Sequence, residues 1–521
     1  MQSIIHNYFV LLHAENQWRR MIKYNNVYAR RCFLTAFMIL FLLTAVVAKT
    51  RIMLISDPHV MGPGLLIKKG DAWEDAIYYD RKLTEYTRDI YDEMIAVALR
   101  EKPDLFLISG DLTKDGEMVS HEYVAEKLQL LKQAGIKPFV IPGNHDLGTD
   151  EACYYDGGYC DNVLDVADAN SFAELYRDFG YGDDVERDEH SLSWSCEPVE
   201  GLVLIGLDTG QDDTELNGCI SEFTIGWLFN QAMDAKQRGK QVIVMMHHSL
   251  FPHIVKVDEC NATYSVRLAM KMLNDDAYIY HDYTYVLGRL AYAGVPVVFS
   301  GHVHASDIAK DVMSGSSVFD ISTASCASFP NPYRMLTLSD DLNTMRIQTY
   351  RITELPGLDN FAALSEERMN SGLKHLVWDN THNEEFCDLF ADLFKVHVMG
   401  NEPYNPRQKE FLDMYEENLP QMKEDHQINE YLNSFDLTFD DLTKMVYSVL
   451  EDKSNYGNPE RESLVDDLDT TISLDGSGWT GVRSLVSEKT ADGWYNLQGQ
   501  RMAKPSGKGI YIHGGKLSVV R

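Results

Sequence analysis

From Arg51 to about Thr353, short apolar runs alternate with stretches at helical spacing. Residues 52–56, 104–109, 138–142, 203–207, 242–246 and 295–300 read as strands, and polar residues follow each run at once. Residues 86–100 and 119–134 repeat apolar side chains at helical spacing, and the second stretch ends at Gly135, a good C-cap residue. Apolar runs without alternation predict strands buried on both faces, and so an α/β sandwich. Ligands in such folds gather at the carboxyl ends of the strands, where these polar residues fall.

Two stretches rich in Gly, Asp, Glu and Tyr, residues 61–82 and 147–200, interrupt the alternation. They are expected either to form a cap over a site or to be solvated loops. Past residue 355 the pattern becomes helical: 361–376, 383–397, 406–422 and 437–450 predict a helical appendage over 355–455. Residues 456–478 read as a linker. Residues 479–521 read as a small β tail, with a hairpin over 509–520 turning through His513-Gly514-Gly515.

The N-terminus changes the picture. Arg30 and Arg31 precede an apolar run over 33–47 that ends in small residues, as a signal peptide over 1–48 would. A membrane anchor is the alternative, but a span needs roughly 20 apolar residues and this run is shorter. The expectation is an exported protein, in the periplasm, on the cell surface or outside the cell, with no stable membrane insertion after cleavage. Export permits disulfides. Of eight cysteines, Cys153 and Cys160 flank a Gly-Gly turn and are the best candidate pair, with free thiols the alternative. The formal net charge of −32 opposes binding to a nucleic-acid duplex. A small phosphate ester remains admissible, because bound cations dominate the field of their own site.

Five short motifs carry the candidate chemistry: Asp57-Pro58-His59, Gly110-Asp111, Gly143-Asn144-His145-Asp146, His247-His248 and Gly301-His302-Val303-His304. Each follows a predicted strand. Their carboxylates, imidazoles and one amide oxygen suit borderline metals such as Mn, Fe, Ni or Zn, and no thiolate takes part. Nearby, His121, His253, Lys256, Asp208 and Asp307 are weaker candidates for substrate contact, with a helix cap or surface charge as the plainer reading.

In this order the motifs resemble those of the calcineurin-like metallophosphoesterases, over roughly residues 51–353. The resemblance implies a four-layer α/β/β/α sandwich and two divalent or trivalent metal ions. It implies one ion on Asp57, His59, Asp111 and His304, and a second on Asn144, His247 and His302, with Asp111 bridging. His247 rather than His248 takes the family position. His145 matches the histidine that contacts the phosphoryl oxygen or leaving group, and Asp146 is expected to orient it. The implied reaction is hydrolysis of a phosphodiester or phosphomonoester by a metal-bridging hydroxide. A nucleotidase or pyrophosphatase of the same fold, a non-catalytic scaffold and a surface adhesin are the alternatives. Residues 494–501, 509–512 and the basic end at Arg521 resemble the C-terminal tails of secreted bacterial proteins, some of which engage a type IX export machinery.

Overall fold

The computed structural model describes residues 49–148, 150–209, 218, 220–250, 253, 268–271, 278–281, 284–313, 315–400, 406–434, 437–451 and 466–476, together with strand residues 494–495, 501–502, 509–513 and 516–520. The proposed signal peptide, Lys256, Cys219 and Cys260 lie outside them.

Two sheets form the core. In one, Arg51–Ile55, Leu105–Ile108 and Lys137–Val140 run parallel, and Pro332–Leu338, Thr344–Arg351 and Asp469–Ser473 extend it antiparallel. In the other, Leu202–Leu207, Gln241–Met246, Val297–Ser300 and Ser316–Ser322 are parallel neighbours. Antiparallel strands Asp307–Met313 and Trp194–Val199 flank them, with the short strand Glu186–Arg187 beyond the latter. Side chains of a strand alternate between faces. Ile243 and Met245 join one apolar cluster with strand residues of the opposite sheet. Val242, Val244 and Met246 turn the other way, onto helices Glu222–Gln237 and Thr284–Ala293. Helices Thr87–Glu101 and Met118–Gln133 pack on the outer face of the first sheet. The result is the four-layer α/β/β/α sandwich.

Both predicted insertions fold, and they fold together. Leu66–Lys68 from the first pairs with Cys153–Asp156 from the second, which pairs in turn with Tyr159–Asn162. Trp73 of helix Asp71–Ile77 and Tyr155 meet edge to face at 5.1 Å in their shared core. Cys153 and Cys160 sit on adjacent strands of this small sheet as free thiols, the alternative to a disulfide between them.

The appendage contains the four expected helices, Phe361–Thr381, Glu384–Met399, Pro406–Glu424 and Phe439–Glu451. A fifth, His426–Asn433, escaped the sequence reading because it is short and its apolar positions are few. Their buried residues form a core of their own around Tyr415, Ile428 and Val446.

The linker expectation needs correction. Within 456–478, Asp469–Ser473 is a strand that completes the first sheet, pairing with Thr344–Arg351. Asp467 just before it closes a polar site in the interior. The guanidinium of the fully buried Arg334 donates to the backbone oxygens of Asp467 and Ser322, both at 2.7 Å. A buried cation needs such acceptors. The tail carries the expected hairpin, with Gly509–His513 paired to Lys516–Val520. No helix among the described residues is long and apolar enough to cross a membrane.

Candidate metal centre

The parallel strands of each sheet end on the same side, and the five motifs begin there. Asp57 follows Arg51–Ile55, Asp111 follows Leu105–Ile108, Asn144 follows Lys137–Val140, His247 follows Gln241–Met246, and His302 follows Val297–Ser300. Within each sheet the loops are tied at the site: the Gly301 N–H donates to the His247 backbone oxygen at 2.9 Å, and the Asp57 N–H to that of Gly110 at 3.1 Å. Between the sheets, the His302 N–H donates to Asp57 Oδ1 at 3.1 Å.

Sharp turns aim the side chains inward. Asp57, His59, Asp111, His302 and His304 all have positive φ, between 42° and 63°. For residues with a Cβ that conformation costs about 1–3 kcal/mol each and clusters at functional sites. Two glycines of the motifs are dictated by contact. A Cβ on Gly143 would lie 2.2 Å from Asp111 Oδ1, and one on Gly301 would lie 1.9 Å from Ser56 Oγ.

Two groups of ligating atoms result. Donor atoms of Asp57, His59, Asp111 and His304 lie within 4.8 Å of one another, all on buried residues. His304 Nε2 is 3.2 Å from Asp57 Oδ1 and 3.2 Å from His59 Nε2. Donor atoms of His247, His248 and His302 form a second group within the same limit. Asn144 Oδ1 joins it, 3.1 Å from His247 Nε2 and 2.9 Å from His302 Nδ1. Asp111 Oδ2 lies between the groups, 3.5 Å from His59 Nε2 and 3.3 Å from His247 Nε2.

The donor set fits two cations. His247 Nδ1 lies 2.8 Å from the Ser109 backbone oxygen, which places the imidazole proton there and turns the Nε2 lone pair toward two oxygen acceptors. Burial depresses the basicity of His59 and His304 and pushes His302 down to about 4, so these rings offer lone pairs near neutrality. His247 runs the other way. Burial opposes its charge, but Asp111, Asp57 and the Ser109 oxygen together outweigh burial and push it up to about 9, so a cation entering there displaces a proton.

His145 has its Nδ1 3.0 Å from Asp115 Oδ1. Its backbone N–H donates to Asp111 Oδ1 at 2.9 Å, and its ring meets His59 at 4.9 Å. Burial lowers its basicity, yet Asp111 and Asp115 together raise it above the usual histidine value. The orienting residue is thus Asp115, not Asp146 as expected. The Asp146 carboxylate accepts backbone N–H groups of Leu112, Thr113 and Gly143 at 2.8–3.0 Å and clamps two site loops together. Its proximity in sequence to His145 was misleading, because the turn directs the two side chains apart. Glu151 was also missed; its carboxylate comes from the second insertion to within 4.8 Å of the donor atoms of Asp115 and His145.

The weaker candidates mostly prove structural. His121 is buried between Tyr176 and the Asp146 backbone oxygen, each at 2.9 Å, and burial pushes it down to about 4. Asp208 accepts the Leu192 N–H at 3.0 Å. His248 stands beside His302, ring centroids 4.3 Å apart, with Nδ1 2.9 Å from Thr209 Oγ1.

His253 lies buried against Asp307 and Asp320. Burial opposes its charge, but the two carboxylates outweigh that and push it up to about 10. Its folded value thus lies above the unfolded one near 6.5, so its stabilisation is complete below pH 6.5 and is lost as pH rises through about 10. His253→Gln should cost roughly 3–5 kcal/mol by denaturant melts at pH 6, since it strands buried carboxylates. The gap from wild type should close toward pH 10; a gap independent of pH would contradict the ion pair.

Residues 50–306 match the calcineurin-like phosphoesterase family. The Metallophosphoesterase 1 homolog of Drosophila melanogaster is 32% identical over 103 residues, 19% of this chain and 25% of that protein. The probable glycerophosphodiester phosphodiesterase GpdQ of Arcobacter nitrofigilis is 28% identical over 151 residues, 29% of this chain and 43% of that protein. The chain thus spans a quarter and under half of the lengths of these curated relatives. Among solved structures, a dimetal phosphatase from Danio rerio aligns with 58% of this chain and 96% of its own, at 13% identity and a TM-score of 0.39. The sulfate thiohydrolase SoxB of Thermus thermophilus aligns with 62% of this chain and 60% of its own, at 12% identity and a TM-score of 0.29. Residues 50–306 are a calcineurin-like phosphoesterase domain.

Proposed function

We propose that the protein is an exported two-metal hydrolase of small phosphodiesters or phosphomonoesters. The observation that carries this reading is the position of Asp111, whose one carboxylate oxygen lies within 3.5 Å of imidazole nitrogens from both ligand groups. Asp57, His59, Asp111 and His304 would hold one ion, and Asn144, His247 and His302, with Asp111 again, the other. When bound, two such ions supply Lewis acidity toward phosphoryl oxygens and lower the pKa of water. Asn144 contributes a neutral oxygen, which keeps negative charge down where an anionic substrate must approach.

His145 does the proton work. With Nδ1 held by Asp115, its Nε2 is left to donate to a phosphoryl oxygen or to the departing alkoxide. Asp111 and Asp115 together outweigh burial and favour the protonated ring. The paired insertions form the cap beside this histidine, with Glu151 at its edge. Export rests on the apolar run over 33–47, and engagement of an export machinery on the tail's resemblance.

The test is hydrolysis of bis-p-nitrophenyl phosphate and p-nitrophenyl phosphate by protein stripped of metal and then reloaded with Mn, Fe, Ni or Zn. Turnover that returns with metal supports the proposal, and the faster substrate identifies the ester class. Folded, metal-loaded protein that turns over neither ester, nor any of a panel of natural diesters and monoesters, would refute it.

A further inference from the structure

Three of the apolar runs that lead into the site end in serine: 52–56, 104–109 and 295–300. Ser56, Ser109 and Ser300 are all fully buried, and they come directly before Asp57, Gly110-Asp111 and Gly301-His302. A buried hydroxyl needs partners, a demand that an aliphatic side chain in its place would not make. Ser300 meets it by donating from Oγ to Asp320 Oδ1 at 2.6 Å. The other two serines turn toward the ligands.

Ser109 and Ser56 stand in line with Asp57. Ser109 Oγ lies 2.8 Å from Ser56 Oγ, and Ser56 Oγ bonds Asp57 Oδ2. Counting protons fixes the direction of this chain. Asp57 as a ligand is a carboxylate, which only accepts, and a hydroxyl has one proton to give. Ser56 therefore donates to Asp57 and accepts from Ser109, whose alternative acceptor, the Ser300 backbone oxygen, is at 3.5 Å. The His302 N–H lies 3.1 Å from Asp57 Oδ1 and 3.2 Å from Oδ2. Oδ2 is thus held from behind, and Oδ1 faces His304 Nε2 at 3.2 Å within the first ligand group. Ser109 serves the second group through its backbone, where its oxygen accepts from His247 Nδ1 at 2.8 Å. Gly110 leaves room for that ring, since a Cβ there would lie 2.4 Å from His247 Nδ1.

We propose that Ser56 and Ser109 are positioning residues: their hydroxyls form a relay that holds Asp57 Oδ2 and so presents Oδ1 to the first ion, while the Ser109 backbone sets His247 for the second. The inference rests on the two-metal reading proposed above and adds to it the residues that aim a ligand of each ion from one point between the strands. A ligand already aimed by its own hydrogen bonds needs no reordering when an ion arrives, and such partners are worth about 10- to 100-fold in metal affinity.

The experiment titrates the metal-free protein with Mn(II) by calorimetry and reads both binding steps in wild type, Ser56→Ala, Ser109→Ala and the double variant. His59→Ala identifies the step that belongs to the ion on Asp57, as the one it loses. Ser56→Ala should weaken that step by about 10- to 100-fold and leave the other unchanged. Ser109→Ala keeps its backbone oxygen, so it should weaken the same step by a smaller factor and spare the other. The double variant should be no weaker than Ser56→Ala, because Ser109 then has nothing to relay. Unchanged affinity in both single variants would overturn the proposal while leaving the two-metal reading intact, and so would an equal loss on both steps, the mark of general loosening. Additive losses in the double variant would overturn the relay. If Ser56→Ala does not fold, Ser109→Ala decides alone, and an unchanged step in it overturns the proposal. Wild type that binds fewer than two ions would overturn the two-metal reading and this inference together.

Discussion

Asp111→Asn should abolish turnover. The expected loss in metal-restored kcat is at least about 1,000-fold, since the two-metal clamp and its activated water go together. An amide can offer one neutral oxygen but cannot carry charge between two cations. Asp111 also accepts the His145 backbone N–H and faces both His59 and His247, so the exchange disturbs ligands on either side. Measured metal content should fall from two ions per chain to one or fewer. The fold should survive, because the buried neighbourhood of Asp111 keeps its shape with an isosteric amide. Retention of two ions and of most activity in this variant would remove the bridging role and, with it, the main support for the mechanism.

The second large effect belongs to His145. His145→Ala should lower kcat by about 100- to 10,000-fold, the span usual for loss of a general acid. Metal content should stay as in wild type. Asp115→Asn should give a smaller loss, roughly tenfold, as the imidazole loses its partner at 3.0 Å and its basicity falls. The acidic limb of the pH–rate profile aside, the alkaline limb should move to lower pH, because the ring releases its proton earlier without Asp115. Asp146→Asn separates orientation from architecture. That carboxylate ties Leu112, Thr113 and Gly143 together, so its loss should lower Tm without moving the alkaline limb that Asp115→Asn shifts. If the two variants traded these behaviours, Asp146 would be the orienting group after all.

The ligand residues were legible because strand ends and motif positions coincide. An apolar run marks a strand buried on both faces, and the first polar residue after it stands where the sheet stops. Asp57, Asp111, Asn144, His247 and His302 all obey that logic. The Asp115–His145 contact was not legible, since the turn after Asp111 folds four residues back onto a loop from another strand. Helix His426–Asn433 fell below the length at which periodicity speaks. The strand Asp469–Ser473 alternates poorly and sits beyond the helices, so nothing local announced that it returns to a sheet begun at Arg51.

That return has a consequence for how the protein is made. The sheet that presents Asp57 and Asp111 acquires its last strand only after every helix of the appendage has been synthesised. Until then the strand Thr344–Arg351 has an open hydrogen-bonding edge, and the Arg334 guanidinium lacks the Asp467 oxygen. An unpaired edge is a template for pairing with other chains. The nascent chain is therefore most vulnerable to aggregation late in translation, and the helices act in that interval as a spacer whose folding brings the closing strand within reach.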